Sequence, residues 1–249
     1  MLSKAQIKYI QSLQHKKYRQ KFSQFIAEGD KIVQELLRFR LDSVVAVYAT
    51  GIWLEQHKPL LPGDNAQLEL VTVEEGILKQ ISSLSTPNHA IALVKMFSAP
   101  GKIELKGKVT IALENLQDPG NMGTIIRIAD WFGVSQVICS KDTVDPYNAK
   151  SIQATMGSFA RIPVYETDLQ SLFEAQKDVP VYAATLHGKD ITTFPPIKEG
   201  VILIGNESRG LSEAIVKASS HEITIPRIGH AESLNAAIAT GIICGRLLL

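Results

Sequence analysis

Hydrophobic and polar positions along this chain alternate between two periods. In the first 97 residues, FSQFIAE, SVVAVYA and IALVKMF read as strands, while GDKIVQELLRFR and TVEEGILKQI carry apolar residues at helical spacing. A small α/β unit is predicted there. Beyond residue 107, apolar runs of strand length recur as VTIALE, QVICS, VPVYAATL, GVILIG and EITIP. Helical stretches separate them: MGTIIRIADWF, SEAIVKAS and SLNAAIATGIICGRLL. Continuous apolar runs bounded by turns predict a parallel sheet covered on both faces. Pro100, Gly101 and Gly107 interrupt the periodicity between the two halves. The expected organisation is therefore a domain over 1–97, a linker over 98–107 and a second domain over 108–249, with no internal repeat.

Three strand-to-helix transitions in the second half are unusually polar. The first, NLQDPGNMGTIIRIADWFG, runs through Asn115, Asp118, Pro119, Gly120, Asn121 and Gly123 into a helix carrying Arg127. Open α/β sheets bind ligands at strand carboxyl ends, where glycine lets the backbone approach closely, so this is a candidate site edge. Asn121 and Arg127 are six residues apart, which is read as placing both on roughly one side of the helix, with the Arg127 guanidinium partly buried and paired among isoleucines. A tight turn with a structural ion pair is the competing reading. The second, LIGNESRG, sets Gly205, Asn206, Glu207 and Ser208 after an apolar strand, where a carboxylate and small polar groups suit a ribose or an amino group, or simply a turn. The third, IPRIGHAESLNAAIA, places Ser233 as a natural N-cap of the closing helix. Along that helix Ala237, Gly241 and Gly245 form a small-residue stripe, suited to core packing or to a dimer face. His230 reads as a solvated loop residue. No spacing of His, Cys, Asp or Glu suggests a metal site, and no Gly-Lys-Ser/Thr follows the first turn as a nucleotide P-loop requires.

Charge changes the picture at the amino terminus. The formal net charge is only +1, which excludes a globally basic nucleic-acid binder. Residues 1–95 nevertheless carry 12 Lys/Arg against 9 Asp/Glu, leaving 14 against 16 for the remainder. Lys4, Lys8, Lys16, Lys17, Arg19 and Lys21 occur with Tyr9, His15 and Tyr18 before the first acidic residue, Glu28. Basic groups meet phosphate and rings stack on bases, so Lys16, Lys17, Arg19 and Lys21 are candidate RNA contacts. A solvated helix face with inward tyrosines is the alternative. Cys139 and Cys244 sit in apolar segments and read as reduced, buried thiols of a cytoplasmic protein. No apolar run suits a signal core or a membrane span.

In this order and at these spacings, the three motifs resemble those of the SpoU/TrmH family of RNA 2′-O-ribose methyltransferases in the SPOUT superfamily. The likeness covers 108–249, while FSQFIAEGDKIVQELL more weakly resembles that family's L30e-like substrate-binding domain. The resemblance implies an α/β fold whose carboxyl end forms a trefoil knot, an exception to the rule that chains avoid knots. It implies S-adenosylmethionine held largely by backbone groups at Gly205, Ile225 and Leu234, with Ile204, Thr185 and Leu186 beside it. It carries functional roles onto Asn121, Arg127, Glu207, Ser233 and Asn235. It also implies a homodimer through the carboxyl-terminal domain, and no metal. The ribose 2′-hydroxyl must attack a sulfonium methyl in line, so the enzyme positions two groups and manages one proton. The resemblance implies Arg127 as general base, but an isolated guanidinium stays protonated, so Arg127 is expected to grip the phosphate and hydroxyl of the target nucleotide and to accept the proton only where its environment strongly perturbs it. Ser233 and Asn235 would orient Arg127 or the hydroxyl, and Asn121 and Glu207 would fix the loop and the nucleotide. Ribosomal RNA is the favoured substrate because of the large amino-terminal module. The alternatives are a tRNA methyltransferase, an antibiotic-resistance rRNA methyltransferase, and a catalytically silent RNA-binding or assembly protein.

Overall fold

A computed structural model describes residues 2–61, 68–86, 88–98 and 102–249. Pro100 and Gly101, on which part of the expected linker rests, lie outside the described residues. The chain divides into two compact units, Met1–Ser98 with Tyr147–Arg161, and Ala99–Pro146 with Ile162–Leu249.

The first unit opens with helices α1 (Lys4–Ser12) and α2 (Lys16–Phe22), and α1 starts in a capping box between Ser3 and Gln6. Strand β1 (Gln24–Glu28), helix α3 (Asp30–Phe39), strand β2 (Val44–Ala49), helix α4 (Gly51–Gln56), strand β3 (Glu69–Thr72), helix α5 (Glu75–Ile81) and strand β4 (Ala90–Lys95) follow. The strands form a mixed sheet in the order β1-β4-β2-β3, with only β2 and β3 parallel. Ala46, Tyr48, Ile91 and Leu93 alternate onto one face, where they pack with Ile10 and Leu13 beside α1 and with Leu78 and Ile81 of α5. Helix α3 packs against the sheet with a buried stripe of Ile32, Val33, Leu36 and Leu37.

The second unit holds β5 (Val109–Leu113), α6 (Pro119–Trp131) and β6 (Gln136–Cys139). Helix α7 (Ala149–Thr155) follows in sequence but belongs by packing to the first unit. There Tyr147 and Phe159 ring Phe25 and Phe97, with centroids 4.7 to 6.1 Å apart, and Gln153 donates to the Glu28 carbonyl at 2.6 Å. The stretch 108–249 is therefore not one packing unit. Its 147–161 segment completes the aromatic core of the amino-terminal unit, a pairing across more than a hundred residues that local periodicity does not register.

Strands β7 (Val164–Glu166), β8 (Val181–Asp190), β9 (Gly200–Ile204) and β10 (His221–Thr224), with helices α8 (Leu169–Ala175), α9 (Glu213–Lys217) and α10 (Ala236–Leu247), complete the second unit. Its six strands are all parallel, in the order β10-β8-β9-β5-β6-β7. Helices cover both faces, which is why β5, β6 and β9 read as uninterrupted apolar runs. Residues of α8 and α9 pack with Ala112, Ile138 and Leu203 in one core cluster, while α6 and α10 pack on each other. The parallel sheet expected from the sequence is the one observed. Cys139 and Cys244 are both free and buried, and burial pushes the Cys244 thiol up to about 12. Among the described residues, no helix is long and apolar enough to cross a membrane.

The pairing of β8 with β10 is interrupted. Tyr182 and Ala183 pair with His221 and Glu222, and the register then jumps to Lys189 and Asp190 opposite Ile223 and Thr224. Gly188 lies in that bulge, where an added Cβ would stand 2.5 Å from the Glu222 carbonyl carbon and the Ile223 nitrogen. Both obstacles are backbone and neither can swing aside. Gly188→Ala should lower unfolding free energy by about 1–3 kcal/mol. An unchanged denaturant midpoint would show that the bulge can open.

Candidate active site

The chain enters the second sheet at β5, steps outward to β6 and β7, and returns on the other side of β5, so the order reverses between β5 and β9. Such a reversal leaves a crevice at the strand carboxyl ends. The strands also end level, with Leu113 paired to both Cys139 and Ile204. The turns beginning at Asn115, Ser140 and Gly205 consequently rise side by side.

Each turn is stiffened by its own polar residues. Asn115 adopts φ 55°, a left-handed conformation that asparagine tolerates better than most residues. Its carbonyl accepts the Asn206 side-chain amide at 2.8 Å, which joins the first turn to the second. Asn206 and Gly210 close the second turn with two backbone hydrogen bonds of 3.0 Å, and the Asn206 Oδ1 accepts from the N–H groups of Ser208 and Arg209. Asp118 caps α6 by accepting from the Asn121 N–H at 2.8 Å.

The three motifs meet in one hydrogen-bond chain. Asn121 donates from Nδ2 to the Glu207 carboxylate at 3.0 Å, and its Oδ1 accepts from Asn235 Nδ2 at 2.8 Å. Glu207 also accepts from the backbone N–H groups of Asp118 and Gln117, at 3.2 and 3.3 Å. Partial burial pushes the Glu207 carboxyl upward, but the hydrogen bonds from Asn121 and the backbone outweigh it, and its pKa lies below the usual carboxylate value. Asn235 turns its Oδ1 to the N–H groups of Ala237 and Ile238 and so caps α10.

Several expectations change here. The N-cap of α10 is Asn235 rather than Ser233, which is exposed in the preceding loop. Both residue types cap well, but only Asn235 can cap with its oxygen while donating to Asn121. Arg127 is exposed, whereas Asn121 on the same helix is 8% exposed. Six residues advance a helix by about 600°, roughly 120° short of two turns, so the two side chains occupy different faces. The ion pair expected for Arg127 is absent among the described residues. The small-residue stripe lies inside the chain: a Cβ on Gly241 would touch Ile128 at 3.7 Å, and one on Gly245 would touch Phe132 at 3.7 Å. Of the basic residues in α2, Lys16, Lys17 and Lys21 are exposed, but Arg19 is 3% exposed and donates to the carbonyls of Leu13 and Gln14. It satisfies carbonyls left without partners where α1 ends and cannot reach phosphate.

The residues expected around the cofactor fall at the carboxyl ends of three adjacent strands. Thr185 and Leu186 lie in the β8 bulge, Ile204 and Gly205 end β9, and Ile225 follows β10, with Leu234 in the loop before α10. Leu186, Ile228 and Leu234 are exposed apolar side chains, a surface suited to a flat purine, while the Thr185 hydroxyl donates to Glu222 at 3.3 Å. This donor set, mostly backbone with apolar flanks, fits S-adenosylmethionine. Among the described residues no group of three or more His, Cys, Asp or Glu could hold a metal ion. Sequence reasoning missed Gln117, whose side chain ties Asn115 to the Asp142 carbonyl, and the Ser140–Thr143 turn. Their signal was the polar SKDT following the QVIC strand.

Comparison with known proteins agrees with this geometry. Residues 108–245 match the SpoU rRNA Methylase family, and residues 4–92 match the MRM3-like substrate binding domain. The chain is 28% identical over 244 residues to the 23S rRNA (guanosine(2553)-2′-O)-methyltransferase RlmP of Bacillus subtilis, covering 95% of this chain and 93% of that one. Its structure resembles that of a putative TrmH-family RNA methyltransferase from Porphyromonas gingivalis, with TM-score 0.87, 32% identity and coverage of 100% and 98%. An AdoMet-bound rRNA methyltransferase from Sinorhizobium meliloti superposes with TM-score 0.85 and 30% identity, covering 99% and 95%.

Because the folded Glu207 pKa is depressed, its contribution to stability is complete above the unfolded value of about 4.3 and is lost as pH falls through the folded value. Glu207→Gln should therefore cost about 1 kcal/mol at pH 7, the carboxylate being partly solvated. Thermal melts of the two proteins should begin to converge as pH falls below the unfolded value of about 4.3 and should coincide once it has fallen through the depressed folded value. A difference that persists in acid would mean that side-chain shape, not charge, carries the effect.

Proposed function

The chain belongs to the SpoU rRNA methylase family, and from this we propose that it transfers the methyl group of S-adenosylmethionine to a ribose 2′-hydroxyl of ribosomal RNA, acting as a cytoplasmic homodimer. The observation that carries the reading is the Glu207–Asn121–Asn235 chain, which fastens all three motifs beside the carboxyl ends of β8, β9 and β10. The RNA preference rests on the substrate-binding domain over 4–92 and on the 23S rRNA activity in the name of the Bacillus relative.

Backbone groups at Gly205, Ile225 and Leu234 would hold the cofactor, with Ile204, Thr185 and Leu186 around its adenosine. S-adenosylmethionine bound there supplies a methyl group on a positively charged sulfur, an electrophile for a ribose oxygen. The protein's own work is positioning. Asn121 and Asn235 bond each other, Glu207 and the α10 cap through their side-chain amides, so their first role is to hold the loops in place. Glu207 fixes the turn that borders the nucleotide. Arg127, exposed on α6, is free to grip the phosphate and hydroxyl of the target, and Ser233, exposed before α10, is free to orient them.

In the first unit, α2 presents Lys16, Lys17 and Lys21 for phosphate contact. Lys17 lies 5.9 Å from the Tyr18 ring and Lys21 lies 5.3 Å from the Phe22 ring, while the two rings stack at 6.3 Å. Such a row of cations and rings suits unpaired RNA. The dimer is assigned to the outer face of α10, where Ile238 is 57% exposed and Ile242 lies one turn along. Trp131 on neighbouring α6 is 84% exposed and extends the same apolar character.

Arg127→Ala should reduce methyl transfer from labelled S-adenosylmethionine to rRNA of a deletion strain by about 100-fold or more. Cofactor affinity by calorimetry should stay unchanged. Undiminished transfer by the variant, or no transfer by the wild type to any rRNA, would overturn the proposal. Ile242→Asp should convert a dimer to a monomer by light scattering with the circular dichroism spectrum retained. A dimer that survives this change would place the interface elsewhere.

A further inference from the structure

A cavity of about 310 Å³ opens at the carboxyl ends of β5, β6 and β9. Its size falls within the roughly 300–1,000 Å³ range of small-ligand sites. Glu114, Asn115, Ser140, Asp142, Asn206 and Arg209 supply its polar wall. None of the residues assigned to the cofactor lines it. It nevertheless borders the cofactor strands, because the Gly205 backbone lies against Gly210 and Leu211, where an added Cβ would stand 2.5 Å from the Gly210 carbonyl carbon. It also borders the catalytic network, since Gln117 bonds Asn115 through its side chain and Glu207 through its N–H.

Most of the wall is already spent. The Glu114 carboxylate accepts from the Ser212 N–H at 2.7 Å and from its hydroxyl at 2.6 Å. Asn206 bonds the backbone on both sides of its amide, and Ser140 accepts from the Asn115 N–H. The Asp142 carboxylate and the Arg209 guanidinium form no bond with a described residue, and both residues are exposed. A ligand entering the cavity therefore meets one free anion and one free cation.

Among the parts of an RNA chain, phosphate is disfavoured by the carboxylates of Asp142 and Glu114, and the ribose hydroxyls, which either a carboxylate or a guanidinium can bond, do not call for both groups at once. The base edges differ. Guanine alone offers two adjacent donors, N1–H and the 2-amino group, that a carboxylate can accept together, and two adjacent acceptors, O6 and N7, that a guanidinium can bridge. Adenine and cytosine set a ring-nitrogen acceptor beside their amino group, which a carboxylate repels, and uracil offers a single N–H between two carbonyls. We infer that this cavity receives a guanine of the substrate RNA, with Asp142 accepting from N1–H and the 2-amino group and Arg209 donating to O6 and N7. The inference rests on the RNA methyltransferase reading above and names the base that the same site reads.

The test is saturation-transfer NMR of guanosine, inosine, adenosine and cytidine 5′-monophosphates on the full-length protein, a readout that needs no methyl transfer. Guanosine monophosphate should bind best, and loss of the 2-amino group in inosine monophosphate should weaken it by about tenfold. Asp142→Asn should remove the preference for guanosine over inosine. Arg209→Ala should weaken both alike, since both carry O6 and N7. Calorimetry with S-adenosylmethionine checks that each variant is folded. Equal binding of all four nucleotides, binding of none, or a guanosine preference that survives both substitutions would overturn the assignment. A protein that selects guanosine monophosphate but transfers no methyl group would instead overturn the methyltransferase reading.

Discussion

The side-chain amide of Asn121 donates to Glu207 and accepts from Asn235, and nearly every other feature of the site is held in place by that bridge. The amide is buried, so neither half can be left without a partner except at a cost of about 1–3 kcal/mol. Its orientation is fixed by its partners, because a carboxylate can only accept and Asn235 meets it with a donor. Asn235 in turn caps α10, and Asp118 caps α6 through the Asn121 N–H. The beginnings of two helices and the bend of the Asn206–Gly210 turn are thereby locked to one another.

The bridge closes only because the parallel sheet brings three separate turns to one edge at one height. Leu113, Cys139 and Ile204 share a register level, and β5 lies between β6 and β9 at the point where strand order reverses. Glycine is required where those turns pass closest. Gly205 runs against Gly210 and Leu211, and Gly188 runs against the backbone between Glu222 and Ile223. At both positions a methyl group would meet main chain rather than a side chain able to move.

Polar groups around this edge divide into those consumed by architecture and those left for substrate. Asn121, Asn235, Asn206 and most of Glu114 are consumed. Arg127, Ser233, Asp142 and Arg209 are left facing outward. The same division appears in the first unit, where Arg19 serves the end of α1 while Lys16, Lys17 and Lys21 remain in solvent. A residue's charge states what it could bind, and its hydrogen bonds state whether it is available.

Apolar period and turn chemistry are local properties, and they are enough to predict the strands of the parallel sheet other than the short edge strand β7, the helices α6 and α10, the burial of both cysteines and the three polar turns. The sequence also carried the family, through the order and spacing of those turns. What it could not determine was pairing between distant residues. Ser233 and Asn235 are equally good caps until Asn121 is placed beside one of them. Arg19 looks like its lysine neighbours until the unpartnered carbonyls of Leu13 and Gln14 come within reach. The 147–161 segment has no pattern that distinguishes it from its surroundings, and the aromatic rings of Phe25 and Phe97, with the Glu28 carbonyl bonded by Gln153, assign it to the first unit. In each case the deciding partner lies elsewhere in the chain, and tertiary structure selects it by satisfying a buried polar or aromatic group that local sequence leaves open.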